Sequence, residues 1–321
     1  MNDKITIRPF VWDDLPALVD VINASVEANG EDQFATLDDL RTRFEQPYFF
    51  PLQNVLVAVE PGGAIVGCVS AEMDPRYGRG WGFGQVHPAW RNQGVGARLL
   101  HAADARHLER AAVEVAPEVP IEVTRFCRDS AGAAGPLLEA SGYSVVRVTW
   151  FMQMALDMPV EAPPLPAGIT LRPFVRERDA LAVHEAQDDV FRDNWGWLSA
   201  PHEVWTHYAF DEHFDPALWL VAYDAEGHIA GLCLNKPWGN VRPELGWVDT
   251  LGVRADLRGR GLGHTLLLHG LHTLQQHGFT QAGLEVDSEN QTNAVALYER
   301  AGMHVDKRYL IYGKQLRAGA G

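Results

Sequence analysis

Hydrophobic positions change period several times along this chain, and each change marks an element. In the second half, Leu262, Leu266, Leu267, Leu271 and Leu274 recur at helical spacing and predict a helix from 261. Upstream, apolar runs at 217–224 and 228–236 flank Ala225-Glu-Gly227 and predict a hairpin. Residues 169–174 predict a strand, 177–190 a helix, and 201–212 a short helix. A strand at 245–253 precedes the leucine helix. A strand at 282–287, a helix at 292–301 stopped by Gly302, and a tail at 304–315 forming one or two strands complete the half. This order predicts an α/β fold, a curved mixed α+β-type sheet with helices on both faces.

The first half repeats the second. Ile7-Arg8-Pro9-Phe10 returns as Leu171-Arg172-Pro173-Phe174, 164 residues later, and Gly67 returns as Gly231 at the same offset. The Gly142 and Gly302 turns are 160 apart. These steady offsets predict two copies of one domain, at 1–157 and 169–321. The proline-rich stretch 158–168 is a stiff linker between them.

Composition narrows the function. A formal charge of −15 argues against a nucleic-acid or anionic-membrane surface. No apolar run reaches the roughly 20 residues of a membrane span. Cys68, Cys127 and Cys233 are scattered without metal-ligand spacing and read as buried residues of a reduced, cytoplasmic protein. The 13 histidines show no paired ligand spacing, so no metal is expected.

One motif stands at matching places in both copies. Arg91-Asn-Gln-Gly94-Val-Gly96 and Arg258-Gly-Arg-Gly261-Leu-Gly263 lie 167 residues apart, each between a strand ending in Val (Val86, Val253) and a helix. Backbone N–H groups at such a helix start have no intrahelical acceptor, and the dipole favours an anion there. In the second copy the donors would be the N–H groups of Gly259, Arg260, Gly261, Leu262, Gly263 and His264. The motif resembles the Arg/Gln-x-x-Gly-x-Gly/Ala loop of the GNAT acyltransferase superfamily, which cradles the pyrophosphate of acetyl-CoA. The resemblance covers almost the whole chain as two tandem GNAT domains and implies acetyl-CoA as co-substrate.

The resemblance extends to Val286-Asp-Ser-Glu-Asn290-Gln-Thr-Asn293-Ala-Val-Ala-Leu-Tyr298. It implies that Asn293, with Asn290, contacts the pantetheine arm and that Tyr298 is the general acid. The chemistry agrees: a phenol of ordinary pKa about 10 can protonate a thiolate whose parent pKa is about 8.5. Asp249 lies four residues before Val253 and by strand alternation shares a face with Leu251 and Val253, which makes it the candidate base. Glu244 is the second candidate. A carboxylate of pKa about 4 deprotonates an ammonium only if buried or working through a water. Backbone N–H from Leu251 to Val253 would polarise the thioester carbonyl.

In the first copy, alignment on Gly142 puts Leu138 where Tyr298 stands and Ala133 where Asn293 stands, and alignment on Val86 puts Gly82 where Asp249 stands. The first domain is therefore expected to be catalytically silent, whether or not Val86, Arg91, Gly94 and Gly96 still hold a CoA. The segment from Asp189 to Phe214, dense in aromatics and including Asp193, reads either as an amine-binding wall or as packing between the domains. The expectation is an N-acetyltransferase acting on a small-molecule amine, with neither nucleic acid nor membrane as partner, as a monomeric pseudo-dimer or a homodimer. The alternatives are a non-catalytic acyl-CoA sensor, or a regulatory CoA site in the first domain.

Overall fold

The computed structural model describes residues 4–31, 34–129, 132, 134–211, 213–239, 242–290 and 294–320. Compactness divides the chain into Met1–Val148 with Tyr309–Gly321, and Thr149–Arg308. This differs from the linear division expected at 157 and 169. The reason lies in two strands of 12 and 14 residues, about twice the common length, each with a segment in either unit.

The first unit starts with β1 (Thr6–Pro9), α1 (Leu15–Ala28), α2 (Leu37–Phe44), α3 (Pro51–Asn54), β2 (Val55–Val59) and β3 (Ile65–Ser70). Next come β4 (Glu72–Asp74), β5 (Arg79–Trp81), β6 (Gly84–Val86), α4 (Val95–Glu114), β7 (Ile121–Arg128) and α5 (Ala134–Ala140). The first part of β8 (Ser144–Ala155) ends the unit's continuous chain. Strands β1-β2-β3-β6 form an antiparallel sheet with α1 and α4 packed against it. β7 pairs with β5 in parallel through only Arg79↔Glu122 and Gly80↔Val123. The chain then turns at 82–83, β6 pairs with β3 instead, and a wedge opens between β6 and β7.

The second unit takes the rest of β8, then β9 (Thr170–Pro173), α6 (Arg176–Phe191), α7 (His202–Ala209), β10 (Trp219–Tyr223), β11 (Ile229–Pro237) and β12 (Leu245–Val253). It continues with α8 (Leu262–Gln276), β13 (Gln281–Asp287), α9 (Ala294–Arg300) and the start of β14 (His304–Arg317). The strand order is β9-β10-β11-β12-β13, with residues 149–155 of β8 antiparallel to β13. All five leucines of the predicted stripe on α8 are buried. The expected closing strands at 304–315 are one strand, and its 309–317 part pairs antiparallel with β7.

β12 and β13 repeat the wedge. They pair in parallel from Leu245↔Gln281 to Trp247↔Gly283 and then part, although β12 runs on to Val253. A β-bulge follows the last pair: Asn235 faces Val248 and Leu234 faces Thr250, leaving Asp249 as the extra residue. Such a bulge bends its strand and increases its twist, which helps β12 leave β13.

Candidate active site

At the open end of the second wedge, Gly259 and Gly261 take φ of +73° and +84°, a region that side chains rarely tolerate. Gly261 caps α8 without a side-chain hydrogen bond, so the first N–H groups of the helix, at Leu262, Gly263 and His264, have no intrahelical acceptor. Arg258 is occupied otherwise. Its Nε donates to the Val253 carbonyl at 2.9 Å and its Nη2 to the Val190 carbonyl at 3.1 Å. In the first unit Arg91 donates from Nε to Val86 O at 3.4 Å and from Nη2 to Ser25 Oγ at 2.7 Å. Both arginines thus tie their loop to the strand end and the first helix of their unit. Gly94 repeats the cap at φ +82°.

The helix of the candidate acid meets the loop directly. A Cβ on Gly263 would lie 3.5 Å from Leu297 of α9 and 3.5 Å from Val253 of β12. Tyr298, next to Leu297, is 8% exposed within the unit's core. Burial, with the nearby Cys233 thiol, pushes its phenol above the ordinary value, so it stays protonated. Asn290 closes the turn after β13 through its N–H to Asp287 O at 3.1 Å. Asn293 lies outside the described residues, as does Ala133 in the first copy.

The candidate base is not on the face that strand alternation predicts. Gly231, opposite Val253, lies against Leu266 of α8, and Cys233, opposite Leu251, lies against Gly270 of α8. Leu251 and Val253 therefore face α8. Thr250 instead accepts a hydrogen bond from Gln187 of α6 at 2.7 Å. Asp249 joins Thr250 on the α6 face, ion-paired to Lys236 at 2.5 Å. The extra residue at the bulge breaks the period of two and turns Asp249 across the sheet. Glu244 stands before β12, ion-paired to Arg242 at 3.2 Å. It lies at the closed end of the wedge, about 17 Å of extended strand before Asp249.

The α6 face joins Trp205 of the aromatic segment to Gln187 and His184, which the sequence did not single out. Trp205 Nε1 donates to Gln187 Oε1 at 2.6 Å, and Gln187 passes the bond on to Thr250 beside the bulge. His184 stacks on Trp205 with centroids 4.9 Å apart, and its Nδ1 shares a hydrogen bond with His202 Nδ1 at 3.2 Å. Burial holds His184 below the usual histidine range. Asp188 accepts from Trp197 Nε1 and Ser199 Oγ. Phe210 and Phe214 pack with Phe174 and Trp219 inside this unit, whereas Trp195 and Tyr208 are exposed. The signal for Gln187 was its place one turn after His184 on the predicted helix.

The first wedge holds different groups. Leu138 on α5 is buried among Leu100, Val123 and Tyr312. A side chain at Gly82 would collide with the Ser70 carbonyl and the Arg125 guanidinium. Among the described residues no cluster suited to a metal is present, and no helix is long and apolar enough to cross a membrane.

Two splayed parallel strands, a glycine loop opening a helix and a duplicated layout define the class. The chain matches the Acetyltransferase (GNAT) family over residues 181–303 and the Acetyltransferase (GNAT) domain over 51–145. It belongs to the GNAT acetyltransferases, as a tandem protein and an N-acetyltransferase. It is similar to a protein of Salinispora arenicola named mycothiol acetyltransferase, 32% identical over 307 residues and 90% of each chain. A second protein of that name, from Pseudarthrobacter chlorophenolicus, is 34% identical over 71% of this chain and 68% of its own length. Among solved structures, a GCN5-related N-acetyltransferase from Sphaerobacter thermophilus superposes with TM-score 0.80 at 33% identity, covering 99% of this chain and 98% of that one. A tandem GNAT protein from the clavulanic acid biosynthesis pathway shares the fold, with TM-score 0.73 at 19% identity over 98% of this chain and 100% of that one.

Proposed function

We propose that the second domain transfers an acetyl group from acetyl-CoA directly to the primary amine of a small molecule. The observation that carries this reading is that the glycine cap of α8, the buried phenol of Tyr298 on α9 and the carboxylate of Asp249 on the bulge of β12 all belong to the second unit, whereas the aligned positions of the first unit hold Leu138 and Gly82. The pyrophosphate would sit on the N–H groups that open α8, leaving the thioester beside Tyr298. β12 beyond Trp247 has one edge free of β13 and can offer N–H groups around Leu251 to the developing oxyanion. The amine enters from the α6 face, which the bulge gives to Asp249. The Asp249 side chain is 41% exposed, so it works through a water rather than by burial. Tyr298 then protonates the departing thiolate.

The name of the relatives makes an acceptor of the mycothiol type the first to try, followed by amino acids, aminoglycosides and peptide N-termini. The test is acetyl-CoA-dependent release of free thiol across this panel, with Tyr298→Phe alongside. Release that vanishes in the variant supports the reading. Release that Tyr298→Phe leaves untouched removes the acid assignment.

A further inference from the structure

We propose that the wedge of the first unit binds an acyl-CoA whose acyl group ends in a carboxylate. The proposal rests on reading the first loop, like the second, as a CoA-pyrophosphate site. Its own evidence is Arg125, on the edge of β7 that β6 leaves. The residue is 5% exposed; its Nη1 donates to the Ser70 carbonyl at 3.0 Å, and its guanidinium stands beside the Tyr143 hydroxyl. Nε and Nη2 are buried without a partner among the described residues. A buried guanidinium left in this state carries a desolvation cost that an anion would offset.

The neighbouring groups do not supply that anion. Glu72 accepts from Ser70 Oγ at 2.9 Å, Trp81 Nε1 at 3.1 Å and Arg43 at 3.2 Å. Asp104 takes the Tyr143 hydroxyl at 2.5 Å and Lys314 Nζ at 2.7 Å. His107 lies between the carbonyls of Ala103 and Glu72, at 2.8 and 3.0 Å. The guanidinium also sits at the right depth. Gly96 in the first turn of α4 lies against Val86, and Arg125 lies against Gly82. Gly82 and Val86 are four residues apart across the turn at 82–83, so the gap is at most about 14 Å. A ligand filling the wedge therefore carries phosphate at one end and a second anion at the depth of an acyl group. A pantetheine arm spans such a gap, and a carboxylate can accept two parallel N–H bonds from the fork of Arg125.

The test uses the full chain carrying Gly261→Asp, which closes the second loop and leaves the first. Titration calorimetry with succinyl-CoA, malonyl-CoA, acetyl-CoA and free CoA should show one of the two dicarboxylic thioesters binding at least about tenfold tighter than acetyl-CoA. Arg125→Met on this background should level the series, and Arg125→Lys should keep part of the preference. Equal affinities, or a preference for free CoA, would overturn the carboxylate assignment and leave the CoA reading standing. Failure of every thioester to bind would overturn both. If Arg125→Met does not fold, the affinity ratio measured with Gly261→Asp alone decides.

Discussion

The two wedges share a frame and differ in what borders it. Each has parallel strands that pair for two or three residues and part, a glycine cap at φ +82° or +84°, and an arginine that ties the loop to the strand end. In the second, a phenol stands on the short helix and a carboxylate on the bulge. In the first, the same helix offers Leu138, and a guanidinium lies where the strand turns away. Duplication kept the glycine caps and the arginine ties and exchanged the side chains at the Tyr298 and Asp249 positions. On the proposed reading the frame alone does not make the enzyme; the side chains at 298 and 249 do.

The hardest blow to this contrast falls on the acid. Tyr298→Phe should lower kcat by about 10² to 10⁴, read by thiol release, while Leu138→Tyr in the first unit should add no turnover. Because burial raises the Tyr298 phenol, rate should show no loss from this group below pH about 10; a basic limb near 9 that disappears in Tyr298→Phe would contradict it. Next come the loops. Gly261→Val should raise the KM for acetyl-CoA at least about tenfold, because a β-branched residue is strained at this φ and crowds the anion site. Gly94→Val should leave KM unchanged while removing any second equivalent of bound CoA. Asp249→Asn should cost about 10- to 100-fold in kcat/KM near pH 7, and less at higher pH, where the amine loses its proton unaided.

The smallest effect concerns the first unit alone. Burial holds His107 at about 4, against 6.5 for an ordinary histidine. As pH falls through 6.5 the unfolded chain takes up a proton that the folded chain refuses, so stability drops until about pH 4. His107→Gln should flatten that slope in thermal melts, and an unchanged slope would assign it to other groups.

The duplicated frame was legible because glycine caps, the leucine stripe and repeated turns are local signals. The bounds of β12, 245–253, and the burial of all five stripe leucines followed from period alone. Asp249 was misplaced on its strand, since a bulge is invisible to a rule that assumes a period of two. The role of Arg258 as a tie needed the coordinates, because its acceptors at Val253 and Val190 are ordinary carbonyls. Arg125 did leave a trace. It occupies an inward phase of the alternation Ile121, Val123, Arg125, Cys127, all buried, where a charge is out of place. No pattern within 304–315 announced that most of this tail would pair with β7, since pairing across nearly 200 residues has no local signature.

That last pairing bears on how the protein is made. A ribosome adding about 5 to 20 residues per second completes residue 148 many seconds before residue 309 exists. During that interval β7 lacks the neighbour it has from Tyr309 to Arg317, and its edge stands open to other chains. The first unit to be translated is thus the last to be finished. Nascent chains stalled before 309 are the ones that should need a chaperone.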